Sequence, residues 1–151
     1  AAFTRLKRLV MAVEGLRDAV PATPVDRRLL DLLARFDAAM ADDLNTAVAL
    51  TVLEEVAAMK KVDAGQKRSA LAAMDSVLGL NLLATTRADL RIRPKAATIT
   101  ADEIVAALEQ RKAARATKDF ATSDSLRDGL ITAGVEVMDG DPIGWDWRII
   151  V

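Results

Sequence analysis

The 151-residue chain has no cysteine, no histidine and no tyrosine, only three phenylalanines and two tryptophans, and just four prolines and seven glycines. Without Cys there is no disulfide framework, no thiolate nucleophile and no Cys zinc site; without His the commonest general base and metal ligand is gone. Any chemistry would fall to carboxylates, Lys or Ser. No apolar run approaches the roughly 20 residues of a membrane helix, and Ala1 to Val10 carry Arg5, Lys7 and Arg8 where a signal peptide has its apolar stretch. The chain reads as soluble, with no membrane partner. Its length suits one modest domain or two small ones and excludes large catalytic folds.

What is present is apolar and charged: 52% hydrophobic residues, 28% charged ones and a net charge of −1. That balance argues against a strongly basic nucleic-acid wrapper. The charge is unevenly spread, however. From Ala101 onward six Lys or Arg face ten Asp or Glu, a balance of −4, which leaves +3 for the residues before it.

Phe3, Leu6, Leu9, Val10, Val13 and Leu16 recur at helical spacing, with Arg5, Lys7, Arg8 and Glu14 on the remaining surface, and predict an amphipathic helix that stops near Pro21. Thr23 then offers a cap, Pro24 suits the first helical position, and Asp26 falls where a carboxylate meets unpaired amides. The helix this predicts runs to about Met40, with Leu29, Leu30, Leu33, Phe36 and Met40 inward. After the polar break Asp42 to Thr46, where Asn45 or Asp43 can cap, Val48, Val52, Leu53, Val56, Met59 and Val62 mark a third helix, with Lys60 and Lys61 in its last turn. A fourth, weaker pattern, Leu71, Met74, Val77 and Leu78, follows the turn at Asp63 to Gly65 and closes at Gly79. Short loops between four helices predict an antiparallel four-helix bundle over residues 1–83.

Periodicity fades over 84–100, where Arg87, Arg91, Arg93 and Lys95 accumulate and Pro94 removes an amide donor, so this stretch reads as a linker, either solvated or laid against phosphate. Thr100 and Glu103 then form a capping-box pair ahead of Ile104, Val105 and Leu108. One helix is expected to about Thr117 and another over Asp119 to Ala133, with Phe120, Leu126 and Leu130 inward and Gly134 ending it. Val135 to Met138 alternate as a strand does. Trp145, Trp147 and Ile149 share one face of a second strand beyond the turn-rich residues Asp139 to Gly144. The fold is thus read as mostly α: the bundle, then over 101–151 a small α-hairpin plus β-hairpin module.

Arg111, Arg115 and Lys118 fall on one helical stripe with Lys112 beside it, and Asp124, Arg127 and Asp128 lie on the facing helix. Two readings stand. One is an ion-pair lattice between helices, in which exposed pairs contribute only ~0.2 to 1 kcal/mol each. The other is a surface on which Arg takes phosphate or a base edge and Asp accepts from exocyclic amines. Phe120, Trp145 and Trp147 supply most of the stacking capacity; for Trp147 core packing competes with stacking, and two tryptophans on one strand face would crowd a narrow core. Catalytic constellations are absent. Adjacent Asp42 and Asp43 would diverge by about 100° on a helix, the serines lack a His partner, and the glycines form no phosphate loop.

The stretch Arg111 to Gly134, RKAARATKDFATSDSLRDGLITAG, resembles the C-terminal segment of bacterial cysteinyl-tRNA synthetases, and Ala39 to Val56, AMADDLNTAVALTVLEEV, resembles the helical motif that follows their catalytic core. With the Trp147–Arg148 ending, the resemblance spans the chain. It implies a bundle lying along the anticodon stem of tRNA(Cys) and a terminal module binding the anticodon loop. Carried over by motif, the contacts are Arg115, Phe120, Asp124, Arg127 and Asp139, with Lys118 beside them. Phe120 stands where the family often has Trp, so stacking survives but an indole hydrogen bond does not. Ala47 replaces a Pro common after Asn-Thr, and the turn after Asp139 is longer than usual, with Asp141, Pro142 and Ile143 before Gly144.

The family's adenylation site, with its His-rich and Lys-Met-Ser-Lys-like signatures and its Cys and His zinc site, has no counterpart here. The resemblance therefore implies no catalytic residue, no metal and no cofactor in this chain, ATP and zinc belonging to the parent enzyme, and an excised C-terminal half or a free-standing relative. The partners implied are tRNA(Cys) and an N-terminal catalytic domain, and the compartment the cytoplasm. Two rivals are the related ligase that joins cysteine to an amino sugar in mycothiol synthesis, which needs no anticodon reader, and a helical interaction module without an RNA role.

Overall fold

The computed structural model describes residues 2–148; Ile149, expected on the second strand, lies outside the described residues. The chain is mostly helical with one two-stranded antiparallel sheet, and it divides into two compact units between Leu90 and Arg91, inside the stretch read as a linker.

The first unit holds α1 (Ala2–Glu14), α2 (Arg27–Ala41), α3 (Thr46–Ala58) and α4 (Ala64–Leu78). α3 packs against each of the other three, which is why it is apolar almost all round, burying Ala49, Val52, Leu53, Val56 and Ala57. Around it close Leu9, Val10 and Val13 of α1, Leu29, Leu32 and Phe36 of α2, and Leu71 and Met74 of α4. Each large side chain so enclosed contributes about 1.5 to 3 kcal/mol. The surface is tied by two forks: Arg5 of α1 pairs with Glu54, and Arg35 of α2 donates to both oxygens of Glu55 at 2.7 and 3.1 Å.

Several boundaries differ from expectation, each for a tertiary reason. α1 ends at Glu14, seven residues before Pro21, and a run of turns carries Leu16 into the core. α2 begins at Arg27 with Asp26, not Thr23, as its cap. Gln66 of α4 accepts hydrogen bonds from the amides of Val25 and Asp26 at 2.8 and 2.9 Å, holding the preceding segment extended. The inner stripe of α2 is accordingly Leu29, Leu32, Phe36 and Ala39, with Leu30 turned outward. α3 ends at Ala58, so Lys60 and Lys61 lie beyond it, and Lys61 takes a left-handed backbone (φ 55°) that lets α4 start at Ala64. The Lys67 ammonium donates to the carbonyl of Met59 at 2.8 Å.

Of the two caps offered for α3, Asn45 is the one used, and the left-handed Gly79 ends α4 as expected; Asp63, expected only as part of a turn, caps the start of α4. Beyond Gly79, the Asp75 carboxylate accepts from the amides of Leu80, Asn81 and Leu82 at 2.7, 3.1 and 2.6 Å, folding the chain back so that Leu82 is buried.

The second unit consists of α5 (Ala101–Ala116), α6 (Phe120–Thr132), β1 (Val135–Val137) and β2 (Trp145–Trp147). The capping box is formed: Thr100 Oγ1 accepts from the Glu103 amide and the Glu103 carboxylate accepts from the Thr100 amide. Val135 pairs with Trp147 and Val137 with Trp145, so both tryptophans fall on the inner face. They fit together because their rings meet edge to face, 5.5 Å apart and 87° between planes, over Ile104, Leu130 and Val135. Stacking on a partner is therefore closed to both. Arg91 lies over the Trp145 ring at 4.1 Å and donates to the carbonyls of Trp145 and Ile143 at 3.1 and 2.6 Å. Arg93 donates to the carbonyls of Ile99 and Ala97, and Arg87, in the first unit, pairs with Glu14 at 3.2 Å. Three of the four cations of 84–100 thus hold their own units together, where solvation or phosphate was expected.

Candidate nucleic-acid interface

The candidate residues sit on α5, α6, the turn between them and the turn after β1. α5 closes at Thr117, Lys118 adopts a left-handed backbone (φ 61°), and Asp119 caps α6 by accepting from the Thr122 amide at 3.1 Å. That turn leaves Phe120, the first residue of α6, 58% exposed. Phe120 is not an inward-facing residue of its helix; its ring is open to solvent, as a stacking platform must be. Arg115, Lys118, Asp124, Arg127 and Asp139 are not buried either.

The centre of the cluster is a residue the sequence placed on one cationic stripe with Arg115 and Lys118. Arg111 is 5% exposed, and its guanidinium grips Asp139 from β1's following turn, Nη1 to Oδ1 at 2.6 Å and Nη2 to Oδ2 at 2.8 Å. Its Nε has no protein partner, and neither has the hydroxyl of buried Ser123 on α6. Asp139 itself keeps its side chain 56% exposed. The hydrogen bonds from Arg111, aided by the positive fields of Arg111, Arg115 and Arg127, hold its carboxyl below the usual carboxylate range, against a smaller opposing effect of burial. The same pair, with Asp124 adding a further negative charge nearby, raises the Arg111 guanidinium above its ordinary value.

The fold therefore brings Arg115, Arg127, Asp124 and Asp139 around Arg111; Lys118 is tied to the edge of that group by its amide, which donates to the Arg115 carbonyl at 3.1 Å, and Phe120 lies exposed at the start of α6. Lattice pairing across the hairpin is not what forms: among the described residues, Arg115, Lys118, Asp124 and Arg127 enter no side-chain hydrogen bond or ion pair. Beside Asp139 a groove of about 710 Å³ runs between α5 and the β1–β2 turn, lined by Arg111, Lys112 and Arg115 on one side and Asp139, Gly140, Asp141 and Pro142 on the other. The burial of Arg111 had a sequence signal. Ile104, Leu108 and Arg111 are spaced by four and three, so Arg111 continues the apolar stripe.

No group of three or more acidic residues capable of holding a metal ion occurs among the described residues, and the sequence supplies no Cys or His for zinc. No helix among the described residues is long and apolar enough to cross a membrane.

No family model matches the chain. Individual curated proteins do. It is 58% identical over 151 residues to a cysteine–tRNA ligase of Novosphingobium aromaticivorans, covering 99% of this chain and 31% of that protein. The chain is a relative of the bacterial cysteine–tRNA ligases. Further cysteine–tRNA ligases match at 39% identity in Zymomonas mobilis, over 98% of the chain and 35% of that protein, and at 41% in Laribacter hongkongensis, over 97% and 32%. The chain thus spans about a third of the length of the cysteine–tRNA ligases it matches.

Proposed function

We propose that the chain is the C-terminal, tRNA-binding region of a cysteine–tRNA ligase, with the second unit docking the anticodon loop of tRNA(Cys) and the first, an antiparallel four-helix bundle, lying along the anticodon stem. The observation that carries this is the pairing of uncommitted cations with a held acceptor: Arg115 and Arg127 stand open, and the Asp139 carboxylate in their field is gripped at both oxygens by Arg111.

On this reading the mechanism is one of position. Arg115, Arg127 and Lys118 take phosphates or base edges, fixing where the loop lies. Phe120 offers its open ring to an unstacked base, and Asp124 and Asp139 accept from exocyclic amines, which selects bases. Docking the loop orients the distant acceptor end in an N-terminal catalytic domain, where ATP and zinc do their work.

Charging of tRNA(Cys) by the complete ligase carrying Arg115→Ala tests this. The expected result is a fall in kcat/KM of about fivefold or more, the lower end for a lost charge-assisted contact to a base, with the cysteine activation rate unchanged. Equal charging by the variant and the wild type would refute it. Gel shifts comparing tRNA(Cys) with a transcript of altered anticodon separate this reading from an interaction module without an RNA role, which would bind both alike or neither.

A further inference from the structure

We propose that Arg111 is a positioning residue for base reading: it locks the Asp139 carboxylate in one orientation at the rim of the groove, so that this point accepts only a base edge that donates hydrogen bonds. The inference rests on the anticodon-loop reading above.

The geometry makes the case in three parts. First, the pairing is a fork. Both Nη atoms of Arg111 engage, one on each carboxylate oxygen, at 2.6 and 2.8 Å, which fixes the carboxylate plane as well as its place. Each oxygen retains a lone pair, and over half of the side chain remains open to solvent. Second, Arg111 is committed. It is nine-tenths buried on α5 with its Nε unpartnered, so Asp139 is the one counter-charge the described residues supply to it at hydrogen-bond distance. Gly140, immediately after Asp139, takes a left-handed backbone (φ 82°), which presents the carboxylate to α5 at a sharp turn. Third, the groove offers charges of both signs. Lys112 and Arg115 line it together with Glu109 and Asp141, so cations that can take phosphate stand beside carboxylates that can accept from a base edge.

In the first unit's fork between Arg35 and Glu55 both side chains are exposed, whereas in this one the guanidinium is buried and the carboxylate alone is open. Here the buried partner holds and the exposed partner reads. A base offering an amino or imino hydrogen finds a fixed acceptor, whereas one offering only acceptor atoms meets like charge. Lys could supply the charge of Arg111 but not the fork.

The experiment uses the complete ligase and compares wild type with Arg111→Lys, Arg111→Gln, Asp139→Asn, the double variant Arg111→Gln with Asp139→Asn, and Arg115→Ala. Charging kcat/KM is measured for tRNA(Cys) and for three transcripts, each with one anticodon nucleotide changed, alongside the melting temperature. The expected result is that Arg111→Lys and Asp139→Asn each reduce discrimination at the same single anticodon position by about fivefold or more. Discrimination at the other two positions should hold within about twofold, and the double variant should lose no more than the worse single one.

If Arg111→Lys lowers kcat/KM equally for all four transcripts, or lowers only the melting temperature, while Arg115→Ala still impairs charging of tRNA(Cys), Arg111 is structural and the proposal is overturned. If Arg115→Ala and Asp139→Asn both leave every transcript unchanged, the anticodon-loop reading itself has failed and takes the proposal with it. Should Arg111→Gln not fold, Arg111→Lys and Asp139→Asn still decide the matter.

Discussion

Replacing Gly65 with alanine ought to be a stabilising change by helix propensity, because Gly costs about 0.8 to 1 kcal/mol relative to Ala inside a helix. The structure reverses the sign. Gly65 lies in the first turn of α4 against the extended segment that precedes α2, where its carbonyl accepts from the Ala22 amide at 3.2 Å. A methyl group there would run into the carbonyl oxygen of Val20, closer than real Cβ contacts come, and would press on the Ala22 Cβ at 3.2 Å. The obstacle is backbone, so it cannot swing aside. Relief requires shifting Val20 to Ala22, which strains the Ala22 bond and the two amides held by Gln66. Overpacking costs about 1 to 3 kcal/mol and a weakened hydrogen bond about 1 kcal/mol, against a propensity gain of up to about 1, for a net loss of roughly 2 kcal/mol. For a unit of this size that is a fall of about 8 to 16 °C in melting temperature. Gly129, in mid-α6 with open space where a methyl group would project, is the control: Gly129→Ala should raise stability by about 0.5 to 1 kcal/mol. Thermal melts followed by far-ultraviolet circular dichroism, which reports helix content, measure both. Equal shifts of the same sign in the two variants would refute the steric argument.

Phe120→Ala should weaken tRNA(Cys) binding by about 1 to 3 kcal/mol with no loss of melting temperature, since the ring is largely exposed; filter binding beside a thermal melt checks it, and a fall in stability would show the ring to be packed. Arg91→Leu removes a cation from the Trp145 face and two hydrogen bonds to backbone carbonyls, so the second unit should lose about 2 kcal/mol, read by urea titration. With no histidine, stability should be nearly flat between about pH 5.5 and 7.5. Asp139, Glu54, Glu55 and Glu103 all have folded values below their unfolded ones. Their contribution is therefore complete above about pH 4.5 and is lost as pH falls through and below the ordinary carboxylate range. Asp139→Asn should make that acid limb shallower, and an unchanged limb would count against the pairing with Arg111.

What could be read from the sequence was local. The capping box at Thr100, the cap at Asn45 and the glycine ending at Gly79 involve partners within a few residues, and each formed as its spacing implied. The start of α2 could not be read, because its competitor, Gln66, is 40 residues from Asp26. Apolar residues on several sides of α2 made Leu30 and Leu32 indistinguishable until α3 chose between them. The candidate interface was legible as residue types but not as roles: Arg111 and Arg115 look alike in a cationic stripe, and only Asp139, 28 positions from Arg111, makes one an anchor and leaves the other uncommitted. The basic residues of 84–100 misled for a related reason, since their carbonyl acceptors belong to backbone that the sequence pattern does not locate.

The two indoles, buried edge to face on β2, are the chain's only tryptophans, and the first unit has none. Selective excitation of indole fluorescence therefore interrogates residues 91–148 alone, leaving the four preceding helices optically silent. At 5.5 Å and near-perpendicular planes the pair is disposed for excitonic coupling, so the near-ultraviolet dichroism of the protein carries a built-in gauge of whether this small sheet is intact.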